Sequence, residues 1–166
     1  MGIHTHGGCG PTSGANSGTA GSNPGLLNAL ANPQGVCNMP PPCATTAAVS
    51  KRNAGTNLDV YTATTPVIGD SVTFTVDTSG FSFATIFGVG NMSTRALDTG
   101  DWLLINIDSP ILFMTGPLSG PTATTTEVVS NDPAMCGVRI YTQAKLHDVA
   151  SRPFRLTNSQ DLLLGN

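Results

Sequence analysis

From residue 58 onward the chain sustains no helical period. Apolar side chains recur instead at every second position, in short runs that turn residues cut off. Val72, Phe74 and Val76 alternate with Thr73 and Thr75, and Phe81, Phe83, Thr85, Phe87 and Val89 share a face in the same way. A period of two sends alternate side chains to opposite faces of a pleated strand, so each run buries one face and wets the other. Residues 103–107, 111–114, 122–129, 138–146 and 156–164 supply further strand candidates. Residues 77–80, Ser109-Pro110, Gly116-Pro117, Gly120-Pro121 and Asn131-Asp132-Pro133 separate them, each with the backbone preferences of a turn. About eight short strands at this spacing predict an all-β fold, an antiparallel β-sandwich.

The N-terminal part of the chain follows a different rule. Residues 1–50 contain no Asp, Glu, Lys or Arg, and the seven basic and ten acidic side chains all lie from Lys51 onward. Gly, Ser, Pro, Asn and Ala dominate this segment, which carries loop and polyproline signals. A soluble tail stays in water largely through charge, so fifty uncharged residues need another hold, whether disulfides, glycans, their own domain or a neighbouring subunit. Leu26, Leu27 and Leu30 form a small apolar face over one or two helical turns and are expected to dock by burial. The expected organisation is an extended, tethered segment over residues 1–50 and one sandwich domain over 51–166.

The cysteines support that tether. Cys9, Cys37, Cys43 and Cys136 include no Cys-x-x-Cys pair and lack the spacing of a zinc site. An even count in a low-charge, Thr-rich chain reads as disulfides formed in an oxidising compartment, with three connectivities open. Three of the four lie in the uncharged segment, so any complete pairing within the chain joins that segment to the downstream domain through Cys136.

Composition narrows the function classes. Charged residues make up 10% of the chain, against roughly a quarter in an average domain, a bias of extracellular and surface β proteins. A net charge of −3 with scattered basic residues offers no stripe to follow a phosphate backbone, which argues against nucleic acid. No apolar run reaches the length of a membrane span.

Sites for chemistry are sparse. His4 and His6 stand beside the amino terminus, where a processed chain end plus imidazole would suit Cu(II) or Ni(II), but only after a specific cleavage. Asp98 and Asp101 flank Thr99-Gly100 and bring two carboxylates together as a Ca²⁺ loop would, with Asp77 and Asp108 as further oxygen donors; Asp beside Gly is equally ordinary turn chemistry. His147-Asp148 lacks a Gly-x-Ser-x-Gly elbow to complete a hydrolase triad. Glu127 is the chain's single Glu and has no local signature of a glycosidase pair. Trp102 and Tyr61 would serve a sugar-stacking platform only if exposed, and Trp102 reads as a core anchor next to Leu103 and Leu104. No cofactor is expected, and the chain does not read as an enzyme.

The closing third of the chain contains Asn131-Asp132-Pro133-Ala134, then Gly137-Val138-Arg139-Ile140-Tyr141-Thr142-Gln143-Ala144, then Leu156-Thr157-Asn158-Ser159-Gln160-Asp161-Leu162. With an earlier Gly and a Phe-Thr-Val-type strand, this order resembles a C-terminal module of large secreted proteins from planctomycete-like and myxobacteria-like bacteria. The likeness runs from about Pro66 to Gly165. It implies a β-sandwich and secretion, and it carries over no functional residue.

Two functions fit these readings. The first is an extracellular structural protein that self-associates through its N-terminal segment into a filament or surface layer, its partners being copies of itself. The second is a non-catalytic module that attaches a secreted protein to polysaccharide or to the cell surface.

Overall fold

A computed structural model of the chain describes residues 43–148 and 154–166. Among the described residues lie ten strands: β1 (Ala48–Arg52), β2 (Tyr61–Ala63), β3 (Ser71–Asp77), β4 (Phe83–Val89), β5 (Met92–Ala96), β6 (Trp102–Ile105), β7 (Ile111–Met114), β8 (Thr122–Val128), β9 (Arg139–His147) and β10 (Arg155–Leu163). One 3-10 turn, Pro133–Met135, separates β8 from β9. Asp132 caps it by accepting the Ala134 N–H at 2.9 Å, so the Asn-Asp-Pro-Ala stretch is local turn chemistry.

The strands form a five-stranded sheet in the order β1-β10-β9-β4-β7, a three-stranded sheet β2-β3-β8 and a β5-β6 hairpin, with every strand pair antiparallel. The five-stranded sheet is the central layer. Ala84, Ile86, Ala144, Leu146 and Leu162 on one face pack against Tyr61, Val72, Phe74 and Val76 of the smaller sheet. A second cluster joins Val89 and Leu156 to Leu103 and Ile105 of the hairpin. The chain is therefore an antiparallel β-sandwich with a hairpin laid against its larger sheet.

Ten strands exceed the expected eight or so, and the difference has a physical cause. β1, β2 and β5 have no apolar alternation long enough to announce themselves: the first reads Ala-Val-Ser-Lys-Arg, the second is three residues long, and the third reads Met-Ser-Thr-Arg-Ala. Partner strands hold them in place. β1 pairs with β10 from Ala48↔Leu163 to Arg52↔Ser159, so the change from uncharged to charged sequence at Ser50/Lys51 falls inside a strand.

Cys43 and Cys136 form a disulfide across 93 sequence positions. The downstream cysteine thus takes the third of its upstream candidates, and the end of the uncharged segment is held beside the 3-10 turn. Cys9, Cys37, His4, His6, Leu26, Leu27 and Leu30 lie outside the described residues.

Candidate functional site

The hairpin is attached to the large sheet by side chains standing in for backbone. Asn57 accepts from Trp102 N–H at 2.6 Å and donates to Trp102 O at 2.8 Å and Thr157 O at 2.9 Å. Gln143, 1% exposed, accepts from Leu104 N–H at 2.9 Å and donates to Trp102 O at 3.0 Å and Thr157 O at 2.7 Å. On the opposite face Asn158 accepts from Tyr61 N–H at 3.0 Å and donates to Tyr61 O at 2.7 Å. A side-chain amide has the same donor and acceptor as a peptide, so each reproduces one rung of a ladder between layers that cannot pair directly. β10 takes a register shift between Leu156 and Ser159, which is why the polar run Thr157-Asn158-Ser159-Gln160 is buried in place of an alternating one.

Asp101 completes this joint. Its carboxylate is fully buried and accepts from Arg155 Nε at 3.0 Å, Leu156 N–H at 3.0 Å and Thr56 Oγ1 at 2.9 Å. Burial alone would raise its pKa; the Arg155, Leu156 and Thr56 hydrogen bonds, with the Arg155 charge, outweigh that and hold it below the usual carboxylate range. Both oxygens are taken, while Asp98 in the same turn is exposed. Of the two carboxylates suggested for calcium, Asp101 is thus engaged by a cation of the chain itself, Arg155. Among the described residues no group of three or more His, Cys, Asp or Glu side chains is placed to hold a metal ion.

The remaining candidates are also placed. His147 stacks on Phe83 with ring centroids 4.3 Å apart, and burial, then the Lys145 charge, pull its pKa below the ordinary value. Glu127 lies on β8 beside a shallow groove between the two sheets. Tyr61 is 1% exposed and donates to Thr142 Oγ1 at 2.9 Å; burial pushes its phenol far up, with the Thr142 hydrogen bond opposing. It is closed to any sugar. Trp102 is half-buried, and its indole lies over Gly55, where an added Cβ would meet the ring at 2.1 Å. It covers a turn and is no core anchor, since Leu103, Leu104 and Ile105 fill that role.

Two surface features have no structural role in this frame. One is the free edge of β7, which pairs only with β4 among the described strands. Ile111, Leu112 and Met114 on it are 54%, 51% and 60% exposed, and no charged residue occurs from Ser109 to Thr126. The other sheet edges are blunted: β1 carries Lys51 and Arg52, β8 carries Glu127, and β2 is three residues long. Phe113 points inward from β7, its ring over Gly88 and 5.5 Å from the Phe74 ring. The second feature is a cavity of about 420 Å³ between the β5-β6 hairpin and the large sheet.

A short apolar run between the Ser109-Pro110 and Gly116-Pro117 turns located β7, but its position at an edge depends on strand order, which local pattern does not specify. Comparison with protein-family models, curated proteins and solved structures finds no match to this chain.

Proposed function

We propose that the chain is an extracellular structural module that self-associates, its β7 edge receiving an extended, uncharged N-terminal segment from a second copy. The observation that carries this reading is the β7 edge itself, with large apolar side chains more than half exposed and no charge to deter pairing. An added strand satisfies the free N–H and C=O groups of such an edge, and alternate side chains take up the apolar positions. Residues 1–42 have the required composition: no charge to desolvate, with Pro and Gly frequent.

The disulfide adds support. Cys136 holds Cys43 beside the 3-10 turn, just ahead of β1. Cys43 precedes β1, at the edge of the five-stranded sheet opposite β7, so the segment leaves one edge of the domain and the apolar edge that would receive it lies at the other, as head-to-tail addition needs. Head-to-tail addition of this kind extends into a filament or layer where its rotation does not close a ring. The disulfide and the low charge suit an oxidising extracellular setting, and no helix among the described residues is long and apolar enough to cross a membrane.

Size-exclusion chromatography with light scattering tests this. The full chain is expected to form concentration-dependent multimers, while a chain lacking residues 1–42 and the variant Leu112→Lys are both monomeric and folded. A full-length chain that stays monomeric across the concentration range, or multimers that survive both changes, would reject assembly and leave the attachment-module reading in its place.

A further inference from the structure

The cavity beneath the hairpin has a mostly apolar lining with two cations in it. Phe87 and Leu156 of the large sheet face Leu103, Ile105 and Ile107 from the hairpin side. Gln143 is the polar uncharged side chain in the lining, and both ends of its amide are taken by Leu104 N–H and the carbonyls of Trp102 and Thr157. The remaining polar groups are two cations, Arg95 and Lys145, and no acid lines the cavity.

Among the described residues neither cation has an ion-pair partner. The described ion pairs are Lys51–Asp59, Arg52–Asp161 and Arg155–Asp101, none of which uses Arg95 or Lys145. Lys145 Nζ lies 4.5 Å from the centre of the Phe154 ring, an attraction that leaves its charge free for an anion. Arg95, exposed at the rim, and half-buried Lys145, with no ion-pair partner among the described residues, stand beside an otherwise apolar wall and favour an anionic head joined to an apolar body, through charge-assisted hydrogen bonds to the head. A cavity of about 150 Å³ accommodates benzene, so about 420 Å³ has room for an unbranched chain of up to roughly 17 non-hydrogen atoms by the same ratio, which covers a medium-chain carboxylate.

We infer that this cavity binds a single-chain anionic amphiphile of the medium-chain fatty carboxylate class, its tail between hairpin and sheet and its carboxylate on Arg95 and Lys145. The site depends on the β5-β6 hairpin and stands whether or not the β7 edge assembles.

Isothermal titration of the full chain with decanoate, below its micellar concentration, and with decyltrimethylammonium tests the inference with one tail and two head charges. Decanoate is expected to bind saturably at one per chain, and the cationic amphiphile at least tenfold more weakly. Arg95→Met combined with Lys145→Met should weaken decanoate at least tenfold and abolish the preference between heads. Ile107→Glu, at a residue 46% exposed and thus outside the core, should weaken decanoate while leaving the thermal melt unchanged. Equal binding of the two amphiphiles, a preference that survives the double variant, or no saturable decanoate binding would overturn the inference. Retention on anionic phosphatidylglycerol vesicles without decanoate binding would also overturn it, in favour of a bilayer surface.

Discussion

Arg155 holds Asp101 in a two-pronged ion pair, Nε to Oδ2 at 3.0 Å and Nη2 to Oδ1 at 3.1 Å, across 54 positions of sequence. The pair joins the β5-β6 turn to the start of β10. Arg155 also donates to Thr56 O at 2.6 Å, drawing the preceding loop into the same knot. The hairpin that roofs the 420 Å³ cavity is thus fastened at its turn by charge and along β6 by the Asn57 and Gln143 amides.

Breaking this pair from one side leaves a charge in a site shaped for two. Asp101→Asn or Arg155→Met is expected to cost about 3–5 kcal/mol, read as a fall in the urea midpoint with little change in slope. An unchanged midpoint would mean that the hairpin is held by its apolar contacts alone.

The same pair makes stability depend on acid. The Asp101 carboxyl lies below its ordinary value in the folded protein, so the unfolded chain takes up the proton first. Its contribution is complete above a pH of about 4, the unfolded value, and is lost as pH falls through the lower folded value. Urea titrations at pH 7, 4 and 2 should show the wild type losing more stability than Asp101→Asn over that range.

Reduction of the disulfide should loosen the domain at its N-terminal end. A closed loop spanning 93 positions corresponds to about 4–5 kcal/mol in the chain-entropy model. Cys43→Ser with Cys136→Ser is expected to lower the denaturation midpoint by that order and to remove its response to reductant. A midpoint equal to that of the oxidised wild type would show that β1 pairing suffices to hold this end.

Gly88 is kept bare by its neighbour. An added Cβ would come within 2.1 Å of the Phe113 ring, which must then leave its seat against Phe74. Gly88→Ala should cost about 1–3 kcal/mol, and in a double-mutant cycle with Phe113→Leu the two losses should fall short of adding. Additive losses would show that the ring was not the obstacle.

The amide rungs differ in how much they leave behind. Asn158→Ala strips Tyr61 N–H of its acceptor, whereas Gln160→Ala removes one of two donors to Tyr61 O, since Gln160 and Asn158 both reach it at 2.7 Å. The first should cost about 1–3 kcal/mol and the second about 1 kcal/mol. Hydrogen exchange at the Tyr61 amide should quicken in Asn158→Ala and stay slow in Gln160→Ala.

Much of the architecture was legible along the chain. Val72, Phe74 and Val76 are fully or almost fully buried on one face of β3, as their alternation with threonine requires. The expected strands over residues 111–114 and 122–129 appear as β7 and β8. Trp102 and Tyr61 were less legible. Both are large and amphipathic, and one covers a turn while the other closes the core, a choice made by the layers around them.

The candidate sites divide in the same way. The uncharged run over residues 109–126 stands in plain view, but that β7 lies at a sheet edge follows from the order β1-β10-β9-β4-β7. Arg95 and Lys145 belong to no motif and lie fifty positions apart; they share a cavity because the hairpin folds back over β9 and β10.

By itself, the sequence determined the strand periodicity, the turns and the separation of an uncharged segment from a charged domain, since these depend on neighbours two to four residues away. Tertiary structure alone decided that Asp101 meets Arg155, that Cys136 meets Cys43 and that Asn158 serves Tyr61. Each of those pairs satisfies a buried or constrained group with a partner dozens of residues distant. No local period encodes such a match; it exists only once the layers have packed.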